Sequence, residues 1–174
     1  SPDASLHANG VWSADLTSAE AVAELVATVQ QEYGPIGAVI HLLPLRMQAA
    51  PSNLADWHNA LSLDIKCLYA LARATEGNLK QTGRNGGALL AAITARGGEF
   101  GLRPSETAPL THHAIADFVK TVAFEFPEVL CRIVDLDASD PVPILLQKLI
   151  DELCSSATDL QVGLPGDHRL TVVP

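Results

Sequence analysis

Three short apolar runs constrain this chain more than any other feature of its sequence. Ala38-Val39-Ile40-His41-Leu42-Leu43 is β-branched and apolar at consecutive positions, Ala88-Leu89-Leu90-Ala91-Ala92-Ile93 is another run of strand length, and Leu130 to Leu136 is a third. A strand exposed on one face alternates polar with apolar residues. Runs without that alternation predict parallel strands covered on both faces, so helices must lie above and below the sheet.

The segments between the runs supply those helices. From Thr17 or Ser18 a hydroxyl cap and the acidic Glu20 open a helix in which Ala21, Val22, Leu25, Val26 and Val29 recur at helical spacing, and Tyr33-Gly34-Pro35 stops it. A second helix starts at Ser52, with Leu54, Trp57, Leu61, Ile65, Leu68, Tyr69 and Leu71 in a 3–4 residue rhythm toward Asn78. The spacing predicts a third helix from Thr111 to Phe126 and an amphipathic one from Ile144 to Cys154. Leu160–Leu164 and Leu170–Val173 read as terminal strands around a turn at Gly166-Asp167. The fold class expected is α/β, a Rossmann-like parallel sheet with helices on both faces. The loop from Thr94 to Leu110 is long for a compact domain, and such loops usually line a site.

At 174 residues and 48% apolar composition the chain is expected to form one domain, 1–174. Its formal charge of −9 and lack of any Lys/Arg cluster argue against a nucleic-acid partner. Apolar runs are broken well short of the roughly 20 residues of a membrane span, and no signal pattern opens the chain, so no membrane partner is expected. Cys67, Cys131 and Cys154 are odd in number and far apart, which fits buried thiols and a cytoplasmic setting rather than disulfides. The abrupt, loop-like start at Ser1-Pro2-Asp3-Ala4-Ser5 suggests an N-terminal truncation.

Several phrases carry a resemblance. Ala14-Asp15-Leu16-Thr17, Gly34-Pro35-Ile36-Gly37-Ala38-Val39-Ile40-His41 and Phe118-Val119-Lys120-Thr121-Val122-Ala123-Phe124-Glu125-Phe126-Pro127 resemble, in order and spacing, the adenine-side turn, the central strand and the catalytic-helix end of the short-chain dehydrogenase/reductase superfamily. His41, Glu125-Phe126-Pro127, Arg132 to Asp137 and Val162-Gly163-Leu164 to Arg169-Leu170 look closest to ketoreductase domains of modular polyketide and polyunsaturated-fatty-acid-type synthases. The resemblance implies an NADPH-dependent reductase fold, with Asp15 at a vestigial adenine-side turn as the cofactor-binding candidate.

The departures decide what to expect of it. The family's glycine-rich strand-turn-helix, whose amides hold the cofactor pyrophosphate, has no counterpart in this sequence. The central-strand phrase ends in Leu42-Leu43-Pro44, where the family has small residues. Catalysis in the family uses Ser, Tyr and Lys. Thr94 stands at the Ser position, whereas the Tyr and Lys positions fall near Ala108 and His112 and match neither. Asp64 stands where simple members have Asn and polyketide ketoreductases have Lys. Tyr33 and Tyr69 lie on the first two helices, in core or surface roles.

Thr94 and His112 remain as catalytic candidates, the first as a carbonyl-binding hydroxyl and the second as an imidazole near the missing acid. His112 and His113 point about 100° apart on a helix and cannot both face one substrate. His41, His58, His112 and His113 lack ligand spacing, so no metal site is expected. No G-x-S-x-G elbow is present, which sets a hydrolase aside. Asp135/Asp137 and Asp151/Glu152 read as a strand end and a solvated helix face.

The expectation is therefore a ketoreductase-like domain of a multidomain synthase, catalytically silent by itself and serving as scaffold or interaction domain. No cofactor is expected for this chain alone. The alternative is the C-terminal part of a functional NADPH-dependent β-ketoacyl reductase whose cofactor segment lies upstream. Neighbouring synthase domains and an acyl-carrier-linked substrate are the partners expected. The apolar excess of Trp57, Leu61, Leu68, Phe118 and Phe126 on the second and third helices also predicts a homodimer.

Overall fold

Parallel strands need crossover connections, and the first of them starts from β3. The computed structural model describes residues 5–7, 10–46, 51–102 and 111–172. A small antiparallel hairpin, β1 (Ser5–His7) and β2 (Val11–Ser13), stands apart from the main sheet. Helix α1 (Ala19–Tyr33) begins where the Ser18 side chain accepts the Ala21 N–H, and ends at Gly34, whose φ of 88° lies in the left-handed region. The main sheet runs β3 (Ala38–His41), β4 (Leu89–Thr94), β5 (Leu130–Leu136), β6 (Gln161–Leu164) and β7 (Leu170–Thr171), in that order. The first four are parallel and β7 closes the edge antiparallel.

The second helix departs from its predicted outline in two ways. It is built of α2 (Leu54–Leu61), one wider turn of π type over Ser62–Lys66, and α3 (Cys67–Arg84). The period carried by Leu68, Ala72, Thr75 and Leu79 continues past Asn78, so the helix runs on through Gly83. That glycine is needed there: a Cβ on it would lie 2.2 Å from the Glu128 carbonyl oxygen. Helix α4 (Thr111–Glu125) follows its prediction to within a residue. Helix α5 (Val142–Leu153) starts two residues early, with Pro143 in its first turn.

Each face of the sheet has its own core. On one face Val39, Leu90, Ala92, Cys131 and Ile133 pack under α3 and α4 through Leu68, Ala72, Leu79, Ile115, Val119 and Val122. On the other, Ala91, Ile93, Val134, Leu136, Val162 and Leu164 pack under α5 through Leu149, with Leu145 and Leu153 at the margin. The strand order advances in one direction throughout. The β3–β4 and β4–β5 crossovers place their helices on the first face and the β5–β6 crossover places α5 on the second, so the two kinds of crossover have opposite hands. One kind therefore departs from the right-handed rule that holds in about 98% of such units.

Candidate functional site

Ligands of open parallel sheets sit outside the carboxyl ends of the strands. Here those ends are His41, Thr94, Leu136 and Leu164, and the charged groups among them are gathered around two buried carboxylates.

The first carboxylate is Asp135, 1% exposed and directly across the β4–β5 register from Thr94. Its Oδ1 accepts the Thr94 hydroxyl at 2.7 Å and the Arg96 N–H at 2.8 Å, and its Oδ2 accepts the Phe100 N–H at 2.9 Å. A buried carboxylate survives only with such partners. The loop that brings them round uses left-handed backbone at Gly97, Gly98, Phe100 and Gly101, with φ of 82°, 71°, 59° and 70°. Phe100 is the one non-glycine among the described residues with positive φ, a strained choice for a bulky side chain. Gly98 lies so close to β6 that a Cβ on it would meet the Pro165 nitrogen at 2.5 Å.

The second carboxylate is Asp64, 3% exposed in the π turn, a kind of helix interruption often found at functional sites. Its oxygens accept the Arg46 Nη2–H at 2.9 Å and the Thr111 hydroxyl at 2.7 Å, while its carbonyl accepts the His41 Nε2–H at 2.9 Å. The turn thus ties β3, the segment after it and the start of α4 together.

His112 is 2% exposed, and among the described residues neither ring nitrogen has a hydrogen-bond partner of normal geometry. Burial pushes its pKa below the ordinary histidine value; Asp64, the Pro44 carbonyl and Asp135 pull it up without overcoming this, and Arg96 adds to the lowering. His41 is shifted the same way by burial, against the Asp64 carbonyl and charge. His113 is exposed and its Nε2 accepts the Arg96 Nη2–H at 2.7 Å. One histidine of the pair is therefore solvated and the other buried, on different sides of the helix as their 100° separation requires. Arg96, Gly97 and Glu99 of the loop after β4 line an open cleft of about 380 Å³ together with Asp137, Pro165, Gly166 and His168.

Thr94 and His112 are thus both at the strand ends, yet each is turned inward. Thr94 gives its one proton to Asp135. Ala108 lies outside the described residues. Asp15 is exposed and accepts the Thr17 N–H at 2.9 Å and the Thr17 hydroxyl at 2.6 Å, contacts that hold its carboxyl below the usual range and cap the turn ahead of α1. It stands away from any phosphate cradle: the Gly97-Gly98 turn is wrapped around Asp135, and Leu42-Leu43-Pro44 ends β3 in a short 3₁₀ turn with Pro44 buried. Among the described residues neither of these glycine- or strand-end turns offers free main-chain N–H groups to a dinucleotide pyrophosphate. Among the described residues no group of three or more His, Cys, Asp or Glu could hold a metal ion. No helix among them is long and apolar enough to cross a membrane.

Sequence reasoning read Asp135 as a strand end and missed its place as the centre of the loop. The signal was present: an acid inside a strand otherwise buried on both faces must find donors, and a loop with Gly97, Gly98 and Gly101 in its first turns starts beside it. Arg132 carried the same signal. It is wholly buried in β5 and bound to Glu152, the Ser155 hydroxyl and the Ala157 carbonyl, with Arg169 on the far side of Glu152. Glu152, read as part of a solvated face, is 5% exposed for this reason.

No protein-family model matches the sequence, and no curated protein matches it. Solved structures do. The ketoreductase-containing chain of an adenylation, ketoreductase and pseudo-Asub multidomain structure from a keto acid-selecting NRPS module superposes with a TM-score of 0.75 at 11% identity, over 97% of this chain and 14% of that one. A short-chain dehydrogenase from Streptomyces avermitilis gives 0.67 at 16% identity, over 89% of this chain and 70% of its own. An alcohol dehydrogenase from Thermococcus sibiricus, complexed with 5-hydroxy-NADP, gives 0.55 at 20% identity, over 71% of this chain and 51% of its own. The chain therefore spans about half the length of that dehydrogenase and a small part of the multidomain chain. Its fold is that of the short-chain dehydrogenase/reductases.

Proposed function

We propose that this chain, which carries the short-chain dehydrogenase/reductase fold, is a ketoreductase-like domain of a multidomain polyketide or fatty-acid-type synthase, acting as scaffold or interaction domain and reducing nothing by itself. The observation that carries this reading is the fate of Thr94. A carbonyl-binding hydroxyl must point its proton at the substrate, and this one donates to a buried carboxylate at 2.7 Å. The neighbouring positions agree: Asp64 is tied up by Arg46 and Thr111, and His112 is buried and shifted toward its neutral form. Its partners in this reading are neighbouring synthase domains and an acyl-carrier-linked chain.

Incubation of the chain with NADPH and trans-1-decalone or a β-ketoacyl thioester is expected to give no oxidation above buffer. Turnover that disappears in Thr94→Val would overturn the reading. The second reading, the C-terminal part of an active reductase, draws on the NADP-type ligand in the Thermococcus sibiricus structure, of which this chain spans 51%. NADPH binding by a longer form of the protein, absent from this chain, would favour it.

A further inference from the structure

The loop after β4 has the form of an anion site. Successive main-chain N–H groups in left-handed and turn conformations make a concavity that binds carboxylates and phosphates. In this loop the Arg96 and Phe100 N–H groups and the Thr94 hydroxyl converge within 2.9 Å on a single carboxylate, and that carboxylate belongs to the chain itself.

We propose that residues 94–101 form a preformed carboxylate-binding cradle plugged by Asp135, and that the cradle takes an external carboxylate when the plug's own carboxylate is absent. The donors are set by more than Asp135. Gly98 rests on the Leu164–Pro165 backbone, a Cβ on Gly163 would meet the Gly98 carbonyl at 2.1 Å, and the Arg96 guanidinium fills the space above Gly101. The loop is therefore fastened to β6 and to its own arginine, so its donors stay aimed at one point after the side chain of residue 135 is shortened. The site is also dry, with Asp135 and Thr94 at 1% and 2% exposure. An anion entering it regains hydrogen bonds that are otherwise left unmade. Thr94 is on this view a working oxyanion donor that the chain has occupied internally, an inference independent of whether the intact domain reduces anything.

The test is rescue matched by size. Asp135→Ala removes the equivalent of formate and Asp135→Gly the equivalent of acetate. Formate is expected to raise the melting temperature of Asp135→Ala saturably, by about 3–6 °C at ten times its dissociation constant. Chloride at equal ionic strength should not, nor should formate act on the unsubstituted chain. Acetate should be the better ligand for Asp135→Gly, and Thr94→Val in the Asp135→Ala background should weaken the formate response several-fold. If Asp135→Ala does not fold in chloride, refolding yield is the readout, with recovery in formate expected. Absence of a saturable, size-matched response in either readout would overturn the proposal and leave Asp135 as an ordinary structural residue.

Discussion

A buried imidazole stores a pH dependence. His112 and His41 both have folded-state pKa values below the ordinary histidine value, because burial disfavours their charged forms. The unfolded chain therefore binds more protons than the folded one below about pH 6.5, and stability rises with pH across that window. Their contribution is complete above the unfolded value and is lost progressively as pH falls toward the folded ones, at no more than about 1.4 kcal/mol per pH unit for each ring. Melting temperatures measured from pH 7.5 to 5 should fall on the acid side, and His112→Leu should flatten that limb while leaving the value at pH 7.5 nearly unchanged. An acid limb as steep as before would assign the effect to other groups. The thiols behave oppositely: burial pushes Cys67 and Cys131 up to about 11, which leaves them inert at neutral pH, while Cys154 is exposed.

Two glycines show how differently one substitution acts in different elements. Gly77 lies in α3 with nothing within 4 Å of an added Cβ, so Gly77→Ala should stabilise by about 0.5–1 kcal/mol through helix propensity. Gly98 has left-handed backbone and abuts Pro165, so Gly98→Ala should cost about 3 kcal/mol or more. Denaturant melts of the pair check both signs; equal effects would contradict the close packing of the loop on β6. The sequence made the elements legible because strands and helices are local: the runs at 38–43, 88–93 and 130–136 and the 3–4 residue rhythms between them placed them, and β4 and β5 are covered on both faces as their runs predict, whereas β3 is not, its residues alternating between exposed and buried with Ile40 44% exposed. What it hid was made by contacts distant along the chain. Nothing near Gly98 announces Gly163, and nothing near Thr94 announces that its hydroxyl is spent on Asp135. Helix α5 is amphipathic as expected, with Leu149 buried on the sheet, but the stripe is narrow: Val142, Leu146 and Ile150 flank it and are 75%, 55% and 46% exposed.

At the scale of the molecule the apolar excess divides between core and surface. Of the residues behind the expected homodimer, Leu68 and Phe126 are buried and Trp57, Leu61 and Phe118 are half-buried. Phe124, 92% exposed, and Tyr69, half-exposed and edge-on to Phe118, stand on the outer faces of α4 and α3 instead. Self-association through these helices should therefore depend on Phe124. Light scattering over a range of concentrations, in enough salt to screen the net charge of −9, should show a smaller mass for Phe124→Glu than for the parent. A monodisperse monomer in both would mean that this face meets only water in the isolated chain.

The opposite hands of the crossovers bear on why this sheet is flat-layered at all. A chain that adds parallel strands in one direction with crossovers of one hand puts every helix on the same side, and the sheet rolls up toward a closed barrel with its inner face filled by side chains. Doubly wound sheets usually escape by starting in the middle and building both ways. This stretch of chain never turns back, since β3 to β7 follow one another in order. Within this stretch the second face is reached by reversing hand once, at α5, so a single exceptional connection puts a helix on the side that crossovers of one hand would have left bare.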